Sequence, residues 1–241
     1  DDTILVSLML VNNETGAITD IAAVSRELKR AGSKALLHTD AVQGFMKLPF
    51  RAKTLGADMI SISGHKIHAP KGIGALYIKS GLKLKPIIMG GSQESGLRAG
   101  TEAMPQIAAF GAACELAARS MTESIERMKA LRQAAITRLS TEIPELRVIS
   151  VPDAAPHILS VSLPGWRSEV LMNFMEAQGI YVSKSSACKK GGRSHVLEAM
   201  GLDARTIDGA IRIGLSRYTT QEDIALLCDA LKTAHDTLAH S

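Results

Sequence analysis

The sequence predicts an α/β fold with a mostly parallel sheet, followed by a smaller α+β domain. Three observations carry that reading. The first hundred residues alternate short apolar runs with helical and turn patterns, as βα units do. A long helical stretch then covers about residues 105–139. Beyond it, strand-like runs and amphipathic helices alternate to the end of the 241-residue chain.

Residues 4–11 form a continuous apolar run that ends at Asn12-Asn13, where turn chemistry begins. A helix follows, with Ile21, Val24 and Leu28 on one face, Thr19 or Asp20 as its cap and Gly32 as its stop. Short strands are expected at 35–38, 59–63 and 74–79. Pro105 opens the long helix, whose apolar seam includes Ile107, Phe110, Cys114, Met121, Ile125, Met128 and Leu131. Further strands are expected near 146–151, 158–163, 180–183 and 210–216, covered by helices near 168–178, 194–200 and 220–238. Thr220 and Asp223 have the spacing of a capping box. The expected division is 1–118 for the first domain and 119–241 for the second, joined by the long helix.

Composition narrows the function. A hydrophobic content of 46% and a charged content of 22% are those of a soluble globular protein, and no apolar run is long enough to span a membrane. The net charge of +4, with Lys and Arg scattered, suits an anionic ligand. Aromatics at 3% and no basic stripe argue against nucleic acid. Three widely spaced cysteines exclude a disulfide framework and indicate a reducing compartment, so a cytoplasmic location is expected. Asn13-Glu14-Thr15 matches a glycosylation sequon, which such a compartment would leave unused.

The chemistry concentrates between His38 and Gly74. His-Thr-Asp40-Ala-Val-Gln43-Gly and Ser-Ile-Ser63-Gly-His65-Lys66 each follow a strand-like run. In an open α/β sheet, ligands gather beyond the carboxyl ends of the strands, where Asn13, Asp40 and Lys66 all fall. Pyridoxal phosphate asks for such a set: an acid for its pyridinium nitrogen, a lysine for its aldehyde and a hydrogen-bond partner for its ring hydroxyl. Asp40 alone could simply cap a turn; Gln43 and Lys66 tip it toward the cofactor. Lys71, between Pro70 and Gly72, reads as a solvated turn residue. His65 and His68 have metal-ligand spacing, but no third ligand follows at a sensible distance, so no metal is expected. Cys188 lies in Ser-Ser-Ala-Cys188-Lys-Lys-Gly-Gly-Arg193, where three cations would favour thiolate. Cys114 and Cys228, on apolar helix faces, read as inert. Arg212, on a strand, offers a planar fork for a carboxylate, with Arg217 as a competing and more structural candidate.

These motifs resemble the cysteine desulfurases of the NifS/IscS type, within the class V aminotransferases of the fold-type I pyridoxal phosphate enzymes. The resemblance implies the fold-type I transferase architecture, with part of the large domain followed by the small one. By resemblance, Lys66 holds the cofactor and moves the substrate's α-proton, Asp40 meets the ring nitrogen and Gln43 the ring hydroxyl. Ser63 and His65 help hold the phosphate, and Thr101, in the loop from Gly90, reaches the phosphate of a neighbouring subunit in a homodimer. Asn13 lies near cofactor and substrate carboxylate, and Arg212 binds that carboxylate. Cys188 takes sulfur from L-cysteine as a persulfide, leaving alanine. A sulfur carrier or an iron–sulfur scaffold would then accept the sulfur, and the short loop after Cys188 leaves open which. Another class V activity, aminotransferase or selenocysteine lyase, also remains open, as does a non-catalytic truncated remnant.

No Walker pattern or G-x-G-x-x-G occurs in the chain. The family carries its main phosphate loop and its ring-stacking histidine in an N-terminal part that this sequence does not contain. The chain is therefore expected to be a fragment of a longer desulfurase, with pairing to a separate N-terminal chain as the alternative, to expose apolar sheet surface, and by itself to bind the cofactor weakly or not at all and be inactive.

Overall fold

A computed structural model describes residues 2–184 and 192–239. The chain divides into two compact units, one of residues 1–11 and 19–121, the other of 12–18 and 122–241. 

The first unit holds β1 (Leu5–Met9), α1 (Ile21–Arg30), β2 (Leu36–Asp40), α2 (Ala52–Leu55), β3 (Met59–Ser63), β4 (Gly74–Ile78) and α3 (Met104–Arg119). The sheet order is β1-β2-β3-β4. The first three strands are parallel, and β4 returns antiparallel against β3. Strand β2 runs to Asp40, two residues beyond the expected 38. The ladder continues there because Leu10 N donates to Asp40 O at 2.8 Å and Ala41 N to Ser61 O at 2.9 Å. Asp20, the alternative to Thr19, caps α1 by accepting from Ala23 N at 2.8 Å. Asp58 pins the sheet's start, taking Leu37 N at 3.0 Å and Lys79 Nζ at 3.0 Å. These donors hold its carboxyl below the ordinary range although partial burial opposes them. Gly56, at φ 69°, lets α2 end against α1: a Cβ there would lie 2.5 Å from Ser25 Oγ, which itself donates to Gly56 O.

Alternation along β2 divides its residues. Leu37 and Thr39 are buried, whereas Leu36, His38 and Asp40 share the opposite, partly open face. Edge strand β1 leaves Leu5, Leu8 and Met9 exposed.

The expected single helix over 105–139 is two helices. α3 ends at Arg119 and α4 (Met121–Glu142) begins after Ser120, whose φ of −109° and ψ of 10° leave the helical range. An uninterrupted apolar periodicity hides this break, since serine is no strong helix breaker.

The second unit adds β5 (Arg147–Val148), β6 (Ile158–Ser162), α5 (Ser168–Glu176), β7 (Ser183–Lys184), α6 (His195–Ala199), α7 (Ala204–Asp208), β8 (Ala210–Gly214) and α8 (Gln221–Thr237). Its sheet, ordered β5-β6-β8-β7, is antiparallel throughout. Leu139, Leu159, Leu171, Met175, Ile211 and Leu231 form the centre of its core. The Thr220–Asp223 capping box forms as expected. Buried Arg132 on α4 donates to three carbonyls, those of Val151 (3.0 Å), Pro152 (3.3 Å) and Ile158 (3.3 Å), tying the helix to the start of β6 and the segment before it.

Candidate active site

In the first unit, the candidate cofactor residues cluster at the carboxyl ends of β2 and β3. Asp40 is the last residue of β2 and pairs in register with Ser61 of β3. Its Oδ1 accepts from Val42 N at 2.9 Å, so the carboxylate also organises the turn that carries Gln43. The turn and cofactor readings of Asp40 are therefore compatible. Gln43 is half-buried three residues on.

After Ser63 the chain enters a short 3-10 helix, Gly64–Ile67, that carries His65 and Lys66. Gly64 makes this turn possible. A Cβ there would stand 2.8 Å from Ile73 Cγ2 and 3.1 Å from Ala69 Cβ, while Gly64 N donates to Ile73 O at 2.9 Å. Ile67 anchors the turn in an apolar cluster with Phe110 and Ala113 of α3, with Phe45 and Ile73 packed around it. The side chains of Ser63 and His65 meet, Oγ to Nδ1, at 2.8 Å. Lys66 is half-buried, whereas Lys71 is exposed as expected of a turn lysine.

Sequence reasoning passed over two neighbours. Lys47 is half-buried, and its ammonium is pushed down to about 8, first by burial and then by repulsion from Lys66. Met46, just before it, has a positive φ of 56°. His38, on Asp40's face, lies 2.8 Å from Ser7 Oγ through Nδ1 and 2.9 Å from Ser61 Oγ through Nε2. The two-residue alternation of a strand could have revealed His38, but nothing in the pattern marks Lys47.

Thr101 is exposed at the end of the loop after Gly90. That loop is held locally: Gly100 N donates to Gln93 Oε1 and Arg98 Nη1 to Gly100 O, each at 3.3 Å.

The second unit brings together Asn13 and Arg212, the two candidates for the substrate carboxylate. Arg212, on central strand β8, donates through Nη1 to Asn13 O at 2.7 Å. Asn12 shapes this turn, its Oδ1 accepting from Glu14 N (2.9 Å), Thr15 N (3.0 Å) and Thr15 Oγ1 (3.2 Å). Arg217 instead sets its guanidinium 5.0 Å from the Tyr218 ring centre, in keeping with a structural part.

Cys188 lies outside the described residues. Of the three cations expected to favour its thiolate, Arg193 is already matched: it forks onto Asp208, with both contacts at 2.7 Å. The other cysteines are shielded. Burial raises the Cys228 thiol to about 11 and that of Cys114 above its ordinary value, as inert thiols require.

The donor set fits pyridoxal phosphate. An acid and a lysine follow adjacent parallel strands, a hydroxyl–imidazole pair precedes the lysine, and Gly64 leaves room where a side chain would crowd the turn.

The family model described as "Aminotransferase class-V" matches residues 1–227. "Cysteine desulfurase 2" of Trichormus variabilis is 43% identical over 226 residues, covering 92% of this chain and 56% of that protein. "Cysteine desulfurase IscS" of Clostridium botulinum is 38% identical over 236 residues, covering 96% of this chain and 59% of its own. A solved "NIFS-LIKE PROTEIN" superposes with a TM-score of 0.91 at 38% identity, over 99% of this chain and 62% of that one. The chain thus spans little more than half the length of the curated relatives it matches.

Proposed function

Because the chain belongs to the class-V aminotransferase family, we propose that its residues serve the pyridoxal phosphate-dependent desulfuration of L-cysteine. One observation carries this reading. Asp40 and the Ser63–Lys66 turn end adjacent parallel strands, in a chain 43% identical to a cysteine desulfurase. Bound pyridoxal phosphate supplies an electron sink for the substrate's α-carbon. Asp40 would meet the ring nitrogen, Gln43 the ring hydroxyl, and Ser63 and His65 the phosphate, which Thr101 of a second copy would also reach. The Lys66 amine would hold the cofactor, and as general base it would move the proton at the substrate's α-carbon. Arg212, oriented by Asn13, takes the substrate carboxylate. The Cys188 thiolate then attacks the substrate sulfur. A sulfur–sulfur bond forms, the carbon–sulfur bond breaks, and its electron pair stays with the β-carbon, which takes a proton to give alanine.

This reading includes a homodimer and a sulfur acceptor, either an iron–sulfur scaffold or a sulfur carrier. Free Cys114 and Cys228 support a reducing cytoplasmic setting. Among the described residues no helix is long and apolar enough to cross a membrane.

The test uses a completed chain: this sequence joined to the portion of the Trichormus variabilis relative that it does not span. Supplied with pyridoxal phosphate and L-cysteine, it should form alanine and persulfide without a keto acid. Alanine that appears only with a keto acid would make the chemistry transamination, and no alanine under either condition would refute the reading.

A further inference from the structure

Glu14 and Ser194 are 180 residues apart in sequence, yet both are almost fully buried, at 5% and 3% exposure. Ser194 Oγ donates its proton to Glu14 Oε2. Ser194 Oγ itself accepts from Leu197 N at 3.2 Å, capping α6. Both capacities of this hydroxyl are thus committed, and its proton can go only to an acceptor. A carboxylate is an expensive acceptor to bury. Taking it out of water costs more than one hydroxyl returns, and a well-packed apolar residue would commonly serve stability as well or better. Stability is therefore a poor account of Glu14, and its surroundings suggest another. Its backbone lies in the turn shaped by Asn12, and the preceding carbonyl, that of Asn13, receives Arg212 Nη1 at 2.7 Å. Ser150 Oγ holds the following residue, donating to Thr15 O at 2.6 Å.

We propose that Glu14 and Ser194 are positioning residues for the reaction: their bond sets the 12–16 turn so that Asn13 O orients Arg212 for the substrate carboxylate. The inference rests on the carboxylate-binding part given above to Asn13 and Arg212. It also ties that site to the start of α6, six positions after Cys188 in the sequence. A shift of the turn then moves the guanidinium.

The test separates helix capping from positioning. In Ser194→Asp the new side chain still caps α6, because aspartate is as good a cap as serine. With both groups ionised it cannot donate to Glu14, and it sets a second carboxylate against the first. Ser194→Thr keeps both bonds. Ser194→Asp combined with Glu14→Gln restores a donor–acceptor pair with its direction reversed. In the completed chain, Ser194→Asp should raise KM for cysteine about tenfold or more with kcat within about threefold, as expected for losing orientation of one charged contact. Ser194→Thr should match the parent, and the double variant should recover most of the loss. In the 241-residue chain itself, hydrogen exchange across 12–16 should quicken in Ser194→Asp and slow again in the double variant. A parental KM in Ser194→Asp, or no recovery in the double variant, would overturn the proposal, as would unchanged exchange at 12–16. If the completed parent made no alanine, the proposed function would fail, and the exchange measurement would still decide whether the two residues are coupled.

Discussion

Arg212 Nη1 and the main-chain carbonyl of Asn13 are 2.7 Å apart across 199 residues of sequence. A guanidinium has five donors in a fixed plane, so anchoring one of them sets the direction of the rest. A lysine at 212 would keep the charge but lose that plane. Arg212→Lys in the completed chain should therefore raise KM for cysteine by roughly tenfold or more, with a smaller effect on kcat. Steady-state kinetics checks this, and an unchanged KM would remove Arg212 from the substrate site.

The Lys47 ammonium, near 8, titrates well below its ordinary 10.5. Between those two values the unfolded chain binds more protons than the folded one, so Lys47 makes stability rise with pH across that window. Below about 8 both states carry the charge and the cost of burying it is fully felt. Lys47→Met should therefore stabilise the chain at pH 7, and the gain should shrink as pH rises from 8 toward 10.5. The buried Cys228 thiol acts in the opposite sense, because its raised value of about 11 costs stability once unfolded thiols ionise. That contribution is common to both proteins and cancels in their difference. Urea melts of the two proteins at pH 7 and pH 10 measure it. A gain that does not depend on pH would mean that Lys47 is not titrating as described.

Arg132 satisfies three carbonyls from a position that is 7% exposed. Arg132→Leu preserves apolar contact but strands those acceptors, so it should destabilise the chain by roughly 2–4 kcal/mol. Denaturant unfolding checks this, and a loss below ~0.5 kcal/mol would show that water replaces the guanidinium freely.

Cys188→Ser in the completed chain should retain cofactor and cysteine binding but lose sulfur transfer by ~10²-fold or more, since a hydroxyl cannot form a persulfide. Assays of alanine and of protein-bound sulfur test this. Undiminished alanine formation would show that Cys188 takes no part in removing the sulfur.

Much of the fold was legible because local chemistry and packing agree. The run 59–63 is a strand to the residue, and Thr220 with Asp223 caps α8 as their spacing requires. Asp40 and Lys66 could be grouped because parallel strands bring their carboxyl ends side by side. The break at Ser120 was not legible, since the apolar periodicity continues through it. Nor were the Glu14–Ser194 bond and the Lys47–Lys66 proximity. Such contacts depend on how distant turns converge, which no local period records. Arg193 shows a related limit: beside Cys188 it reads as an activating charge, but its carboxylate partner lies 15 residues on in α7.

Whether Lys66 is the cofactor lysine can be read by saturating the 241-residue chain with pyridoxal phosphate, reducing with borohydride and mapping peptides by mass spectrometry. Lys47 and Lys71 are the informative competitors, one titrating near 8 and the other exposed. The pyridoxyl mass should fall on Lys66 and be lost in Lys66→Ala. Label on Lys47, or spread evenly over surface lysines and unchanged in that variant, would contradict it.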